Sequence, residues 1–297
     1  MNSFSVGHFF DYANYRDDRW EIIFEEFAEC GATHLTVTSV IAELVMGRPR
    51  IWKNFRNWGE KYHIGFVDAH GLWGGDMAWD LNVDDMERRP FMLEQHKLCI
   101  KLLAALGVRT YTMHIGAQCC VQNRWDGNEQ HFRDLACQSL EALLPTAEKE
   151  GVIIAIENAF EPSNTPDELL YYLGRFPTPA LGVCFDAGHA TMMDRDIIPR
   201  DPAENREDYR MVSWHGHLQY QHDALGTLTP HIVTAHLHDN DGHRDYHNLI
   251  FEGVGDWKKY MDGFRKCPRL ISLQNEIHGG GASIARMCKA FDRLLTL

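Results

Sequence analysis

Four short apolar runs in the second half of the chain end in groups able to bind a metal, in the order Glu, Asp, His, Glu. They read Val152-Ile153-Ile154-Ala155-Ile156-Glu157, Leu181-Gly182-Val183-Cys184-Phe185-Asp186, His231-Ile232-Val233-Thr234-Ala235-His236 and Leu270-Ile271-Ser272-Leu273-Gln274-Asn275-Glu276. A buried strand that ends in a carboxylate or imidazole sets that group at its C-terminal lip, where a parallel barrel assembles its active site. Three carboxylates brought together there repel one another unless a cation stands among them. The pattern therefore points to one divalent ion. Oxygen and nitrogen donors without a thiolate suit a hard or borderline cation, with Mn²⁺ the ion expected and Mg²⁺, Co²⁺ or Zn²⁺ the alternatives, among which the donor types themselves do not choose.

Neighbouring residues extend the constellation. Asp186 opens Asp186-Ala187-Gly188-His189, so a carboxylate and an imidazole three residues apart reach one place from a single turn. His236 and His238 alternate with Leu237 and point the same way across the pleat, and only one of them is needed for metal. Arg244 suits an anionic group on a substrate. Trp73 and Trp79, in a glycine-loosened segment just after His70, suit a wall for a sugar ring or equally a packing contact.

These residues must be held by a regular frame. Strand-like runs fall near Ser5 to Phe10, His34 to Thr38, Gly65 to Ala69, Arg109 to Ile115, Val152 to Glu157, Gly182 to Asp186, Ile232 to Leu237 and Leu270 to Glu276. Between them apolar residues recur at three- and four-residue spacing, as over Met86 to Leu106 and Phe132 to Glu150, which predicts helices. Leu106-Gly107-Val108 and Glu150-Gly151-Val152 each put glycine just past a helix and before a strand. No Gly-x-Gly-x-x-Gly follows the first strand, so alternation of this kind predicts an α/β protein, a (β/α)₈ TIM barrel forming a single domain over residues 1–297. The long connection after Asp186 predicts an elaborated loop at about 190–210 over the barrel mouth, followed by a helix around Tyr209 to Leu225.

Composition narrows the partners. Lys and Arg number 29 and Asp and Glu 42, a net charge of −13 that disfavours a broad basic face for nucleic acid, so no nucleic-acid partner is expected. No run of about twenty apolar residues and no basic-then-apolar leader is present, so the expectation is a cytoplasmic protein without a membrane partner. The eight cysteines are irregularly spaced and read as reduced thiols, the adjacent pair Cys119-Cys120 included. Whether the chain forms a homo-oligomer is left open by the sequence.

The motifs also resemble a family. Ile156-Glu157-Asn158, Phe185-Asp186-Ala187-Gly188-His189, and the block from His236-Leu237-His238-Asp239-Asn240-Asp241-Gly242 to Gly253-Val254-Gly255-Asp256-Trp257 are similar to those of the xylose-isomerase-like barrels. Within that superfamily they resemble the sugar phosphate isomerase/epimerase group, which includes the ketose 3-epimerases; the likeness runs from about Gly65 to Glu276. It implies a metal held by Glu157, Asp186, His236 and Glu276, with Glu157 and Glu276 catalytic. His189 would contact substrate or order a ligand, and His70 and His114 would line the pocket. The implied substrate is a small carbohydrate-like molecule, and the implied reaction is isomerisation or epimerisation. Lyase or dehydratase chemistry on a keto-cyclitol or modified glycoside is the alternative.

The apurinic-site endonucleases of the same superfamily hold three zinc ions with further His and Asp residues. Candidates for those positions stand here at His70, His114, Asp245 and His247, so Asp245 and His247 are additional metal candidates. One departure is plain: where the isomerase group often has Pro-Gly-Glu-Gly before Asp-Trp, this chain has Phe251-Glu252-Gly253-Val254-Gly255.

Overall fold

The computed structural model describes residues 4–9, 19–38, 47–72, 79–194, 196, 209–277 and 282–297. Eight parallel strands close into a barrel in simple sequence order. They are β1 (Ser5–His8), β2 (His34–Val37), β3 (Gly65–His70), β4 (Thr110–Met113), β5 (Ile153–Glu157), β6 (Leu181–Asp186), β7 (Ile232–Leu237) and β8 (Ser272–Asn275). Each expected strand is present to within two residues at either end, β3 and β6 running one residue longer than expected and β7 matching.

The outer layer is helical: α1 (Trp20–Glu29), α2 (Pro49–Tyr62), α3 (Arg89–Ala104), α4 (Gln118–Val121), α5 (Glu129–Glu150), α6 (Pro166–Arg175), α7 (Ala187–Met193), α8 (Tyr209–Ser213), α9 (Ala224–Leu228), α10 (Trp257–Phe264) and α11 (Ile284–Leu295). Gly151 ends α5 in the left-handed region at φ 70°, as its place between helix and strand predicts. Thr165 caps α6 by accepting the Glu168 N–H. Around Tyr209 to Leu225 there is not one helix but two short ones, α8 and α9, because His215, Gly216 and Asp223 all take positive φ. The segment after Asp186 begins as helix α7, so the expected loop starts later than 190; most of it, with Trp73, lies outside the described residues.

Aromatic packing locks the helices to the barrel. Phe24 of α1 meets Phe55 of α2 edge-on, with ring centroids 5.2 Å apart, and both rings pack against Phe66 of β3. Trp79 belongs to this outer packing: it lies against Phe91 and His96 of α3, and its carbonyl accepts the His96 Nε2–H at 2.9 Å. The Tyr111 hydroxyl donates to His96 Nδ1, also at 2.9 Å.

Burial pushes the His96 imidazole down to about 4, and the same cause lowers His8 to about 4. Both folded values lie below the unfolded one of about 6.5, so both rings favour the fold as neutral species. Their contribution is complete above pH about 6.5 and is lost as pH falls toward 4, by about 2–3 kcal/mol for each ring. Urea unfolding at pH 7 and pH 4.5 is expected to report a large loss of stability, and His96→Gln to make that loss smaller. An equal loss in wild type and variant would contradict the assignment for His96.

Candidate metal centre

The strand register steps around the barrel lip, with Glu157 of β5 the register partner of Cys184, two residues before Asp186. Asp186 of β6 is the register partner of His236 of β7, and His236 in turn faces Gln274 of β8, two residues before Glu276. Side chains two apart on a strand share a face, so Gln274 and Glu276 both project inward. Glu157, Asp186, His236 and Glu276 are all at most 4% exposed. Their donor atoms lie within 4.8 Å of one another. His236 Nδ1 stands 2.9 Å from Glu157 Oε1 and 3.0 Å from Glu276 Oε2.

Two further donor groups adjoin this one. His70 and His114 point their Nε2 atoms at Glu157 Oε2, from 3.8 and 3.1 Å. Neither approach makes a hydrogen bond, and Glu157 Oε2 is buried without a hydrogen-bond partner. On the other side, Asp245 Oδ2 lies 3.2 Å from His189 Nε2 and 3.1 Å from His247 Nε2. His189, His238, Asp245 and His247 again have donor atoms within 4.8 Å of one another. The sequence reading of His70 and His114 as pocket residues thus meets a structure in which they could equally be donors.

The imidazole tautomers suit metal ligands. His70 Nδ1 is 3.1 Å from the Gly71 carbonyl, His189 Nδ1 is 2.9 Å from the Asn158 carbonyl, and His247 Nδ1 is 2.8 Å from the Glu276 carbonyl. A carbonyl only accepts, so in each ring the Nδ1–H donates to it and Nε2 is the nitrogen that faces a carboxylate, the one an ion between them would use. Fixing the second nitrogen in this way is how proteins orient metal-binding histidines. Four carboxylates converge here, Glu157, Asp186, Asp245 and Glu276, and two divalent ions would balance their four charges.

The imidazoles and carboxylates also shift one another's protonation. Burial acts to raise Glu157, but His236 and His114 outweigh it and hold the carboxylate well below its usual range. Burial likewise opposes the shift at Asp245, where His247 and His189 win. His114 and His247 are each raised to about 9, against burial, by Glu157 and Asp245 respectively.

Cys184 lies beneath this floor beside Glu157 and His236. Burial raises its thiol to about 12. Cys119 and Cys120 are buried in α4 among Trp125, Phe132 and Leu135, with Cys120 Sγ against Ser163.

Local structure explains the motifs. Asp186 also caps α7, its Oδ1 accepting the His189 N–H at 2.6 Å, which makes the three-residue spacing the first turn of a helix. Asn158 clamps Asp186 from both sides, its Oδ1 accepting the Asp186 N–H and its Nδ2 donating to the Asp186 carbonyl. Asp239 gathers the Gly253 to Trp257 segment by accepting from Gly255 N–H and Trp257 Nε1–H. Glu252, at the position of the motif's departure, is exposed and pairs with Arg286. Arg244 lies in the turn that Asp241 caps, one residue before Asp245.

Sequence patterning does not single out Asp80 and Glu161. Both are buried beside His114, and burial raises Asp80 to about 6 and raises Glu161 as well. Asp80 is 3.8 Å from His114 Nδ1.

A closed (β/α)₈ barrel carrying a buried carboxylate and imidazole centre at its C-terminal lip is the class that fold and site define. The chain belongs to the xylose isomerase-like TIM barrel family, whose model matches residues 15–267. It is 24% identical over 272 residues to the uncharacterized protein MJ1311 of Methanocaldococcus jannaschii, an alignment covering 89% of this chain and 76% of that protein. Among solved structures it is similar to a D-tagatose 3-epimerase-like protein, at TM-score 0.72 and 18% identity over 99% of this chain and 97% of that one. It is also similar to the 3-keto-D-glucoside 4-epimerase YcjR of E. coli, at TM-score 0.72 and 13% identity over 99% and 100%. Among the described residues no helix is long and apolar enough to cross a membrane.

Proposed function

We propose that the chain is a divalent-metal-dependent isomerase or epimerase of a small sugar or sugar-like hydroxycarbonyl compound. The observation that carries the reading is the convergence of two buried glutamates, Glu157 from β5 and Glu276 at the end of β8, on one imidazole nitrogen of His236. The residues fit an ion held by Glu157, Asp186, His236 and Glu276. When bound, such an ion polarises substrate oxygens and acidifies the C–H beside the carbonyl.

The chain's own part is positional and protonic. Glu157 and Glu276 approach from different strands, so one carboxylate removes a proton from one face and the other returns it from the opposite face or at the adjacent carbon. His189, held by the Asn158 carbonyl, presents Nε2 toward the site for a substrate hydroxyl or a ligand. Arg244 would contact an anionic group on the substrate, and His70 and His114 would line the pocket. Ketose 3-epimerisation in D₂O should place one deuterium per turnover at the carbon beside the carbonyl. A product lighter by water would instead favour the dehydratase alternative.

A second reading has a specific observation behind it. His70 and His114 with Glu157, and His189 and His247 with Asp245, complete donor sets for two more ions, which is the equipment of a multinuclear zinc phosphodiesterase. The charge of −13 stands against a duplex substrate. Elemental analysis of protein purified without added metal separates the two. About one equivalent of Mn, Mg, Co or Zn, lost in Asp186→Asn, supports the isomerase centre. About three equivalents of zinc together with cleavage of abasic DNA would replace it by the phosphodiesterase.

A further inference from the structure

We infer that His238 is a positioning residue that ties the Asp186 donor group to the Asp245 group, and that residue 188 is glycine in order to admit its ring. The inference rests on the metal-centre reading above. His238 is 1% exposed and follows His236 by two residues. Its Nε2 lies 3.1 Å from Asp186 Oδ2 and 3.6 Å from Asp245 Oδ1. Its ring lies flat on that of His247, with centroids 3.8 Å apart and planes 15° apart. One imidazole thus touches both donor groups.

The hydrogen-bonding pattern separates His238 from the candidate ligands. In His70, His189 and His247 the Nδ1–H is donated to a main-chain carbonyl, which makes Nε2 the nitrogen turned toward a carboxylate. In His238 it is Nδ1 that is buried without a partner. The neutral tautomer that satisfies a neighbour therefore carries its hydrogen on Nε2 and donates it to Asp186 Oδ2. That nitrogen has no lone pair left for an ion. Asp186 then has both oxygens fixed, Oδ1 by the His189 N–H and Oδ2 by His238.

Gly188 supports the assignment independently. A Cβ at this position would stand 2.0 Å from His238 Cε1, 2.4 Å from Nδ1 and 2.5 Å from Nε2. Its φ is not positive, so the backbone of α7 does not itself require glycine. Glycine weakens a helix relative to alanine, and what it gains here is room for the ring.

The test uses the purified chain titrated with MnCl₂ or ZnCl₂ alone, read by calorimetry, by metal content and by the melting temperature of the metal-free protein. His238→Ala is expected to weaken ion binding about 10- to 100-fold without removing a whole equivalent, the usual cost of losing an orienting partner. His238→Gln, which keeps an N–H donor, should recover most of that loss. Gly188→Ala should resemble His238→Ala, yet cost nothing further when built into His238→Ala, where its melting temperature should rise. Loss of a full equivalent that Gln does not restore would make His238 a ligand and overturn the inference. So would Gly188→Ala being equally damaging in both backgrounds. Wild-type protein that takes up no ion would overturn the metal reading as well, whereas ion binding indifferent to His238→Ala overturns this inference alone.

Discussion

Glu276→Gln is expected to lower the rate of proton exchange beside the substrate carbonyl by about 10²- to 10⁴-fold, the range supplied by a positioned general acid or base. Glutamine keeps the volume of the side chain at a position only 4% exposed, so the substitution removes a base without opening a cavity. Glu157, Asp186 and His236 remain as donors, and ion content should persist with reduced affinity. Glu157→Gln should behave differently. Its carboxylate serves two donor groups, with Oε1 toward His236 and Oε2 toward His70 and His114, so this variant loses metal together with exchange. Deuterium incorporation from D₂O, measured on protein of known metal content, distinguishes them. Exchange by Glu276→Gln within about threefold of wild type would remove Glu276 from the role of acid or base.

Much of this centre was legible in the sequence because a parallel barrel strand is buried on both faces and reads as an unbroken apolar run. A polar residue that ends such a run can only be a lip residue, which is why Glu157, Asp186, His236 and Glu276 stand out. The alternation of strands with helices ending at Gly107 and Gly151 fixed the barrel by the same logic. What was not legible arrives through connections. Asp80 and Glu161 follow no period, and only closure of the barrel brings them against His114.

The roles of individual imidazoles were equally hidden. Whether a histidine is a ligand or an orienting partner depends on which nitrogen meets a carbonyl, and the carbonyls of Gly71, Asn158 and Glu276 leave no mark on side-chain spacing. Trp79 shows a choice that spacing left open: of the sugar wall and the packing contact that its segment suited, the structure shows packing, against His96 in the outer layer where a helix supplies the partners. The helix expected around Tyr209 to Leu225 broke because residues with polar side chains, His215 and Asp223, adopt the left-handed region that patterning reserves for glycine.

Removing metal should expose how far the centre is built around an ion. With EDTA, the wild-type melting temperature is expected to fall, and saturating Mn²⁺ or Zn²⁺ at about a thousand times Kd should restore about 4 kcal/mol. For a chain of this size that corresponds to a shift of about 6 °C. Asp186→Asn should cross this behaviour. It removes one of four converging carboxylates, and asparagine can still cap α7 by accepting the His189 N–H through its oxygen. The metal-free variant should therefore melt at or above the metal-free wild type, yet gain little when either ion is added. That crossing follows from electrostatics, since a carboxylate that repels its neighbours without an ion is the one that binds the ion when present. A variant that gains as many degrees as wild type on adding metal, or a wild type indifferent to EDTA, would mean that these four side chains satisfy one another without a cation.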